Sequence, residues 1–428
     1  MAIRFRNQTG GNRTDRFDTI VVNSGLVRLT GGAEMWMTRN RLARVAAFAM
    51  IAISAVVIAP SSPASRVTTV PLNAAAFPLG RAHILALGEA SHGSEPLLRE
   101  RNRLILELAD LGTIRWVALE TGYAESRLLD RFVRGASCEA ERVAQRGFTS
   151  GFGNFAENVV LLRELRAANA GRREQDKIGI FGIDLSLGGP LDSAPTMAPI
   201  RCALEGLTNR KRRVALGIAL KDAVKPGLAN TNVTNEQKAT FHRLADRLQS
   251  SLPPAASLEA RTCARIVMQS AAVFDAMPKI VAPGSIPIDA WVSISRRDQA
   301  MATNALDAFR RSGGKSLFLF AHTSHVLRAP RKGGQLHSQK RAPISMGDVI
   351  QQKLGDRYFV VAQVEKTSFV GEAGSDLLAT FNATCSDPCV MRPNQLANRA
   401  KTFRIGINGT DEQLIKATAA DAFLILPR

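Results

Sequence analysis

The sequence predicts an α/β fold, a central mainly parallel sheet flanked by helices and interrupted by a helical insertion. Two observations carry this reading. Short apolar runs alternate with amphipathic helical stretches over most of the chain, the pattern of strands joined by crossover helices. From about 190 to 287 that alternation gives way to long helical stretches with polar faces and Pro-marked breaks. No internal repeat is visible. With 428 residues, 45% hydrophobic and 22% charged, the chain is too apolar for disorder to be its main theme, and long enough for one large domain or two.

In chain order, residues 1–65 are expected to lie outside the fold and 66–428 to form the folded domain. Arg39, Arg41 and Arg44 precede the 15-residue apolar run Val45–Ala59, and Ser62-Pro63-Ala64 supplies small residues. This is the layout of a secretory signal, with Met37 as good a start as Met1. Fifteen apolar residues fall short of the roughly 20 that span a bilayer. Export to the periplasm or medium, with cleavage near Ala64, is therefore expected. An uncleaved anchor is the alternative, in which Val45–Ala59 would keep a membrane contact, transient or anchored.

The first strand candidate is His83–Leu87, which stops at Gly88. Pro96 opens a helix to about Leu111, with Leu97, Leu98, Leu104, Ile105 and Leu108 on one face. Trp116–Leu119 reads as a strand, Tyr123–Val133 as a helix, Phe155–Ala170 as a helix and Ile178–Ile183 as a third strand. Beyond the insertion, Ser316–Ala321 and Tyr358–Gln363 resume the strands.

Lys and Arg number 56 against 37 Asp and Glu, a net charge of +19. Eight of the bases and three of the acids fall in residues 1–65, so the remainder keeps +14. The charge is spread along the chain, and only 6% of residues are aromatic, so no nucleic-acid partner is expected. Five Cys are too few for a disulfide scaffold. Cys385 and Cys389 in the turn-like CSDPC are the expected pair, with Cys138, Cys202 and Cys263 leaving an odd thiol. Without a second such pair, a structural or unpaired role is preferred to metal or redox chemistry.

The residues at the ends of the apolar runs point to function. HILAL leads into Gly88-Glu89-Ala90-Ser91-His92-Gly93, WVAL into Glu120, IGIFGI into Asp184, and SLFLFA into His322 and then His325. In an open α/β sheet, ligands bind beyond the carboxyl ends of the strands. One acid after a strand is commonly a helix cap. Four strands ending in acid or imidazole, with three of only six His among them, point to one shared site. Arg101 sits on the apolar stripe of its helix, and Arg297 shares a helical face with Met301, Asn304 and Ala308. Guanidiniums so placed must snorkel or meet carboxylates, and a buried Glu120–Arg101 ion pair is expected.

These residues carry a resemblance. LGEASHG, the Arg101 helix, VALE, GFGNFAENVVLLRELRAANA, FGIDL, RRDQAMATNAL, LFLFAHTSHV and ISMGDVIQQKLGDRYFVV fall in the order of the erythromycin esterase family, from about Leu85 to Gly371. The resemblance implies an α/β core with a helical-bundle insertion and a hydrolase of macrolide lactone esters. It places Glu89, His92, Arg101, Glu120, Arg297, His322 and His325 at the family's motif positions.

The residues also speak to mechanism. Ser91 lacks the glycine spacing of a nucleophile elbow, and no Cys stands at a strand end, so a nucleophilic triad is disfavoured. Hydrolysis by activated water needs a base titrating near neutrality. His92, in its Gly-bounded loop, suits that role, with Glu89 or Glu120 to orient it. Arg101, Arg297, His322 or His325 could then stabilise an oxyanion. The expected partner is a small-molecule ester or lactone, with no cofactor. The alternative is a divalent metal at His92, His322, His325 and Glu120, serving a metal-dependent hydrolase or a non-catalytic metal- or haem-binding protein, although two neighbouring Arg would repel a cation.

Overall fold

The computed structural model describes residues 70–71, 74, 77–78, 81–186, 197–224, 234–278, 289–328, 341–365, 389–391, 402–407, 411–416 and 419–426. Strand β1 (Val70–Pro71) is followed by β2 (Ile84–Glu89), helix α1 (Glu95–Asp110) and β3 (Ile114–Gly122). Helices α2 (Tyr123–Val133), α3 (Ala140–Gly147) and α4 (Ala156–Asn169) lead to β4 (Gly179–Asp184). Next are four helices, α5 (Ala198–Glu205), α6 (Arg210–Val224), α7 (Asn235–Ser251) and α8 (Leu258–Asp275). Then come α9 (Trp291–Arg311), β5 (Ser316–His322), the short α10 (Thr323–Val326), α11 (Met346–Leu354) and β6 (Tyr358–Glu365). Strands β7 (Cys389–Met391), β8 (Thr402–Ile407), β9 (Asp411–Lys416) and β10 (Ala422–Leu426) complete the described elements.

Eight strands form one sheet in the order β1-β7-β10-β6-β2-β5-β3-β4. The six from β10 to β4 run parallel, while β7 pairs antiparallel with β10 and β1. β8 and β9 make a separate antiparallel pair. The parallel strands are buried on both faces, and alternate residues feed two cores. Ile84, Ala86, Ala118, Leu317, Leu319 and Val360 pack with side chains of α5–α9. Leu85, Leu87, Val117, Leu119, Phe318 and Phe320 pack with those of α1–α4. The α/β architecture with a mainly parallel sheet is the one the apolar runs predict. Each predicted run falls within a strand or overlaps one by most of its length. Strands β7–β10 have no counterpart among the predicted runs.

The described residues hold one disulfide, whose partners the sequence left open. Cys202 on α5 is bonded to Cys263 on α8, with Cα atoms 5.9 Å apart, because the two helices lie side by side although 61 residues separate them. Cys138 is a free, exposed thiol. Cys385, and with it the CSDPC pair, lies outside the described residues, as do Met37, Val45–Ala59 and Ala64. Among the described residues no helix is long and apolar enough to cross a membrane.

Candidate active site

The strand order brings the predicted groups to one rim. β2, β5, β3 and β4 are neighbours and parallel, so their carboxyl ends open on the same side. Glu89 and His322 are register partners at the ends of β2 and β5. Asp184 ends β4 opposite Gly122 of β3, and the β3–β4 register shifts between Leu119 and Gly122. Glu120 sits in that irregularity, a device that re-aims a side chain at the end of a strand. Gly88 lets β2 meet the α10 turn: a Cβ there would stand 2.5 Å from Val326 Cγ2 and 2.9 Å from Thr323 Cα.

Glu120 is the hub. Its Oε1 accepts from Arg297 Nη2 at 3.0 Å and lies 3.2 Å from His325 Nε2. Its Oε2 accepts the His322 backbone N–H at 2.7 Å. Arg297 also forks onto Asp184, Nε to Oδ1 at 2.9 Å and Nη2 to Oδ2 at 2.5 Å. His325 Nδ1 lies 2.8 Å from Asp298 Oδ1, so each ring nitrogen faces a carboxylate. Asp298 Oδ2 in turn accepts the Met346 N–H at 3.0 Å. Burial alone would raise the Glu120 pKa, but His325, Arg297 and His92 together hold it well below the ordinary carboxylate range. Burial likewise works against the Arg297 charge, yet Asp184, Glu120 and Asp298 outweigh it and lift its pKa.

A second group adjoins the first. Glu89 Oε1 lies 2.7 Å from His92 Nδ1, the two being three residues apart in the loop that leaves β2. The His92 side chain is 28% exposed and that of Glu89 only 5%, so a buried carboxylate backs an imidazole open to solvent. Burial lowers the His92 pKa, but the Glu89 hydrogen bond and the charges of Glu120 and Glu89 reverse this and leave it raised. Burial raises that of Glu89 against the opposing pull of His92 and Arg101. The His92 and His322 rings lie 4.7 Å apart. His322 Nδ1 accepts from the Ser324 N–H at 3.3 Å and lies 2.7 Å from Ser324 Oγ. Phe152 stacks on Phe155 and lies 4.9 Å from the His92 ring.

Arg101 does not pair with Glu120. Its Nε and Nη2 donate to Asn102 Oδ1 at 3.0 and 2.7 Å, and its guanidinium lies 4.7 Å from the Phe320 ring centroid. Among the described residues no ion pair joins it to a carboxylate. The reason is the layer each residue comes from. α1 packs with the core on one face of the sheet and α9 with the core on the other, so Glu120 meets the guanidinium of α9. Burial lowers the Arg101 pKa to about 10, with Glu89 the first carboxylate that opposes the shift. Arg101, Glu89 and Glu120 do line one cavity, walled by Leu98, Phe148, Phe152 and Phe155.

All seven predicted site residues therefore gather at this rim. Sequence reasoning did not assign roles to Asp298, Ser324 and the Phe152–Phe155 wall. Asp298 is the chain neighbour of Arg297, and its helical spacing from the apolar Met301, Ala302 and Ala305 was the signal available for its burial. Among the described residues no three His, Cys, Asp or Glu side chains are arranged to hold a metal ion.

The family model described as erythromycin esterase matches residues 114–380, well over half of the chain. The chain belongs to the erythromycin esterase family. Membership supports a hydrolase. The matched stretch holds Glu120, Arg297, His322 and His325 but begins beyond Glu89, His92 and Arg101, whose place in the site rests on geometry. Solved structures share the erythromycin-esterase-like fold. A Bacillus cereus protein is 20% identical with a TM-score of 0.62, covering 82% of this chain and 89% of that one. A succinoglycan biosynthesis protein is 16% identical with a TM-score of 0.63, covering 82% and 88%. A mutant of the erythromycin esterase EreC, in its open conformation, is 16% identical with a TM-score of 0.61, covering 80% and 90%. No curated protein matches significantly.

Proposed function

We propose that this erythromycin esterase family member is a carboxylic ester hydrolase that cleaves an ester or lactone by His92-activated water, without a resident metal. The observation that carries the proposal is the 2.7 Å Glu89–His92 contact beside a cavity that Glu120 and Arg101 also line. With Nδ1 held by Glu89, Nε2 is the atom that takes a proton from water as the water oxygen bonds to the acyl carbon. Negative charge then develops on the carbonyl oxygen, where His322, Arg101 or Arg297 can stabilise it. Collapse of the tetrahedral species breaks the acyl C–O bond, and the leaving alkoxide takes the proton back from His92. The products are a carboxylic acid and an alcohol.

The donors that a metal would need support the metal-free reading. Both Glu120 oxygens are engaged by Arg297, His325 and the His322 N–H, and His325 faces Asp298 and Glu120. Mass spectrometry of an ester and macrolide panel incubated with the protein tests the reaction class. A gain of one water, surviving chelator, is expected. Activity that disappears with chelator and returns with zinc or manganese would replace the base by a metal-bound hydroxide at His92, His322 and His325. Complete inactivity across the panel would favour a binding protein.

We also propose export, on the Arg39–Ala64 pattern and on the Cys202–Cys263 disulfide, a bond that persists in oxidising compartments. A macrolide is the substrate class with least support here, because a net charge of +14 beyond residue 65 does not favour a cationic ligand.

A further inference from the structure

We propose that the outer face of α6 docks this protein onto an anionic lipid bilayer. Helix α6 buries Leu216, Leu220 and Val224 at intervals of four residues, which turns the opposite face outward. That face presents Val214 and Ile218, one turn apart and 53% and 58% exposed, beside exposed Ala215. Arg210, Lys211, Arg212 and Arg213 precede them without interruption and are all exposed. Among the described residues none of the four is ion-paired to a carboxylate.

Neither feature serves the fold. Four cations in the first turn oppose the positive end of the helix dipole, and two exposed branched apolar side chains gain nothing from water. An anionic bilayer accommodates both at once. Its surface potential attracts a polybasic segment, and the headgroup–acyl boundary accepts an apolar pair on a helix lying in the plane. A nucleic acid would engage the cations and leave Val214 and Ile218 in water.

The test is co-sedimentation of the full chain with vesicles of phosphatidylcholine alone and of phosphatidylcholine mixed with phosphatidylglycerol. Replacing Arg210, Lys211, Arg212 and Arg213 by Gln should lower partitioning onto the anionic vesicles about a hundredfold or more. The Val214→Ser, Ile218→Ser variant should lower it about tenfold or more. Hydrogen exchange of the 208–224 segment should slow only with the anionic vesicles and only in the unaltered chain, which separates this face from any binding through Val45–Ala59. Circular dichroism melts show whether each variant remains folded. Unaltered partitioning in both variants would overturn the proposal. Loss with the Gln variant alone would overturn it too, and would identify a polyanion surface in place of lipid docking.

Discussion

His92→Ala removes the proposed base and leaves the Glu89 carboxylate buried beneath the site. Positioned base catalysis is worth about 10²–10⁴ in rate, so kcat on any accepted ester should fall by that factor with the circular dichroism spectrum unchanged. The base must be neutral to act, and its pKa is raised. The kcat/KM profile should therefore rise with pH through a value above the ordinary imidazole figure of about 6.5. A midpoint below that figure would remove His92 from the role. Glu120 and Arg297 should behave as one unit. Glu120→Gln or Arg297→Met alone strands a buried charge and should cost about 2–5 kcal/mol of stability, with strong coupling in a double-mutant cycle. Glu120→Gln with Arg101→Met should instead be near additive, because the two side chains make no ion pair. The depressed Glu120 pKa contributes stability at neutral pH that is lost as pH falls below the ordinary carboxylate value toward its own. Which guanidinium Glu120 meets was not legible in the sequence. Apolar stripes show that Arg101 and Arg297 both look inward, but not which sheet face each helix covers.

Among the elements, the strands were legible because both faces are buried and three of the apolar runs stop directly at Glu120, Asp184 or His322. The C-terminal strands were not. β7 has three residues and β10 five, too short for periodicity to separate them from an apolar turn. Disulfide connectivity was illegible for a different reason: it depends on α5 lying against α8, a tertiary fact with no spacing rule. That bond closes a loop across 61 positions, and chain entropy assigns it roughly 4 kcal/mol. Cys202→Ser should lower the stability to urea by about that amount, and a reductant should lower it equally in the unaltered chain but not in the variant. A loss confined to the variant would mean that packing around α5 matters more than the bond.

For the molecule as a whole, export is the prediction that the described residues do not reach. Amino-terminal sequencing of secreted material should begin close to Ser65, and an intact amino terminus retained in the cytosol would refute it. Sheet order carries a consequence for how such a chain is made. β10, residues 422–426, lies between β7 and β6, and β6 pairs with β2, whose last residue is Glu89. During synthesis β2 emerges more than 200 residues before β5 and β6, which flank it, and β6 gains its outer partner only when residue 426 exists. Pairings of such high contact order form slowly. The growing chain can therefore bring the β2, β5, β3 and β4 ends together once β5 has been made, but it cannot complete the sheet beyond β6 until β10 has been translated. Under the export proposed above, a polypeptide that must cross a membrane unfolded gains from this delay, because the sheet gains its β10 edge only after residue 426 has cleared the translocation pore.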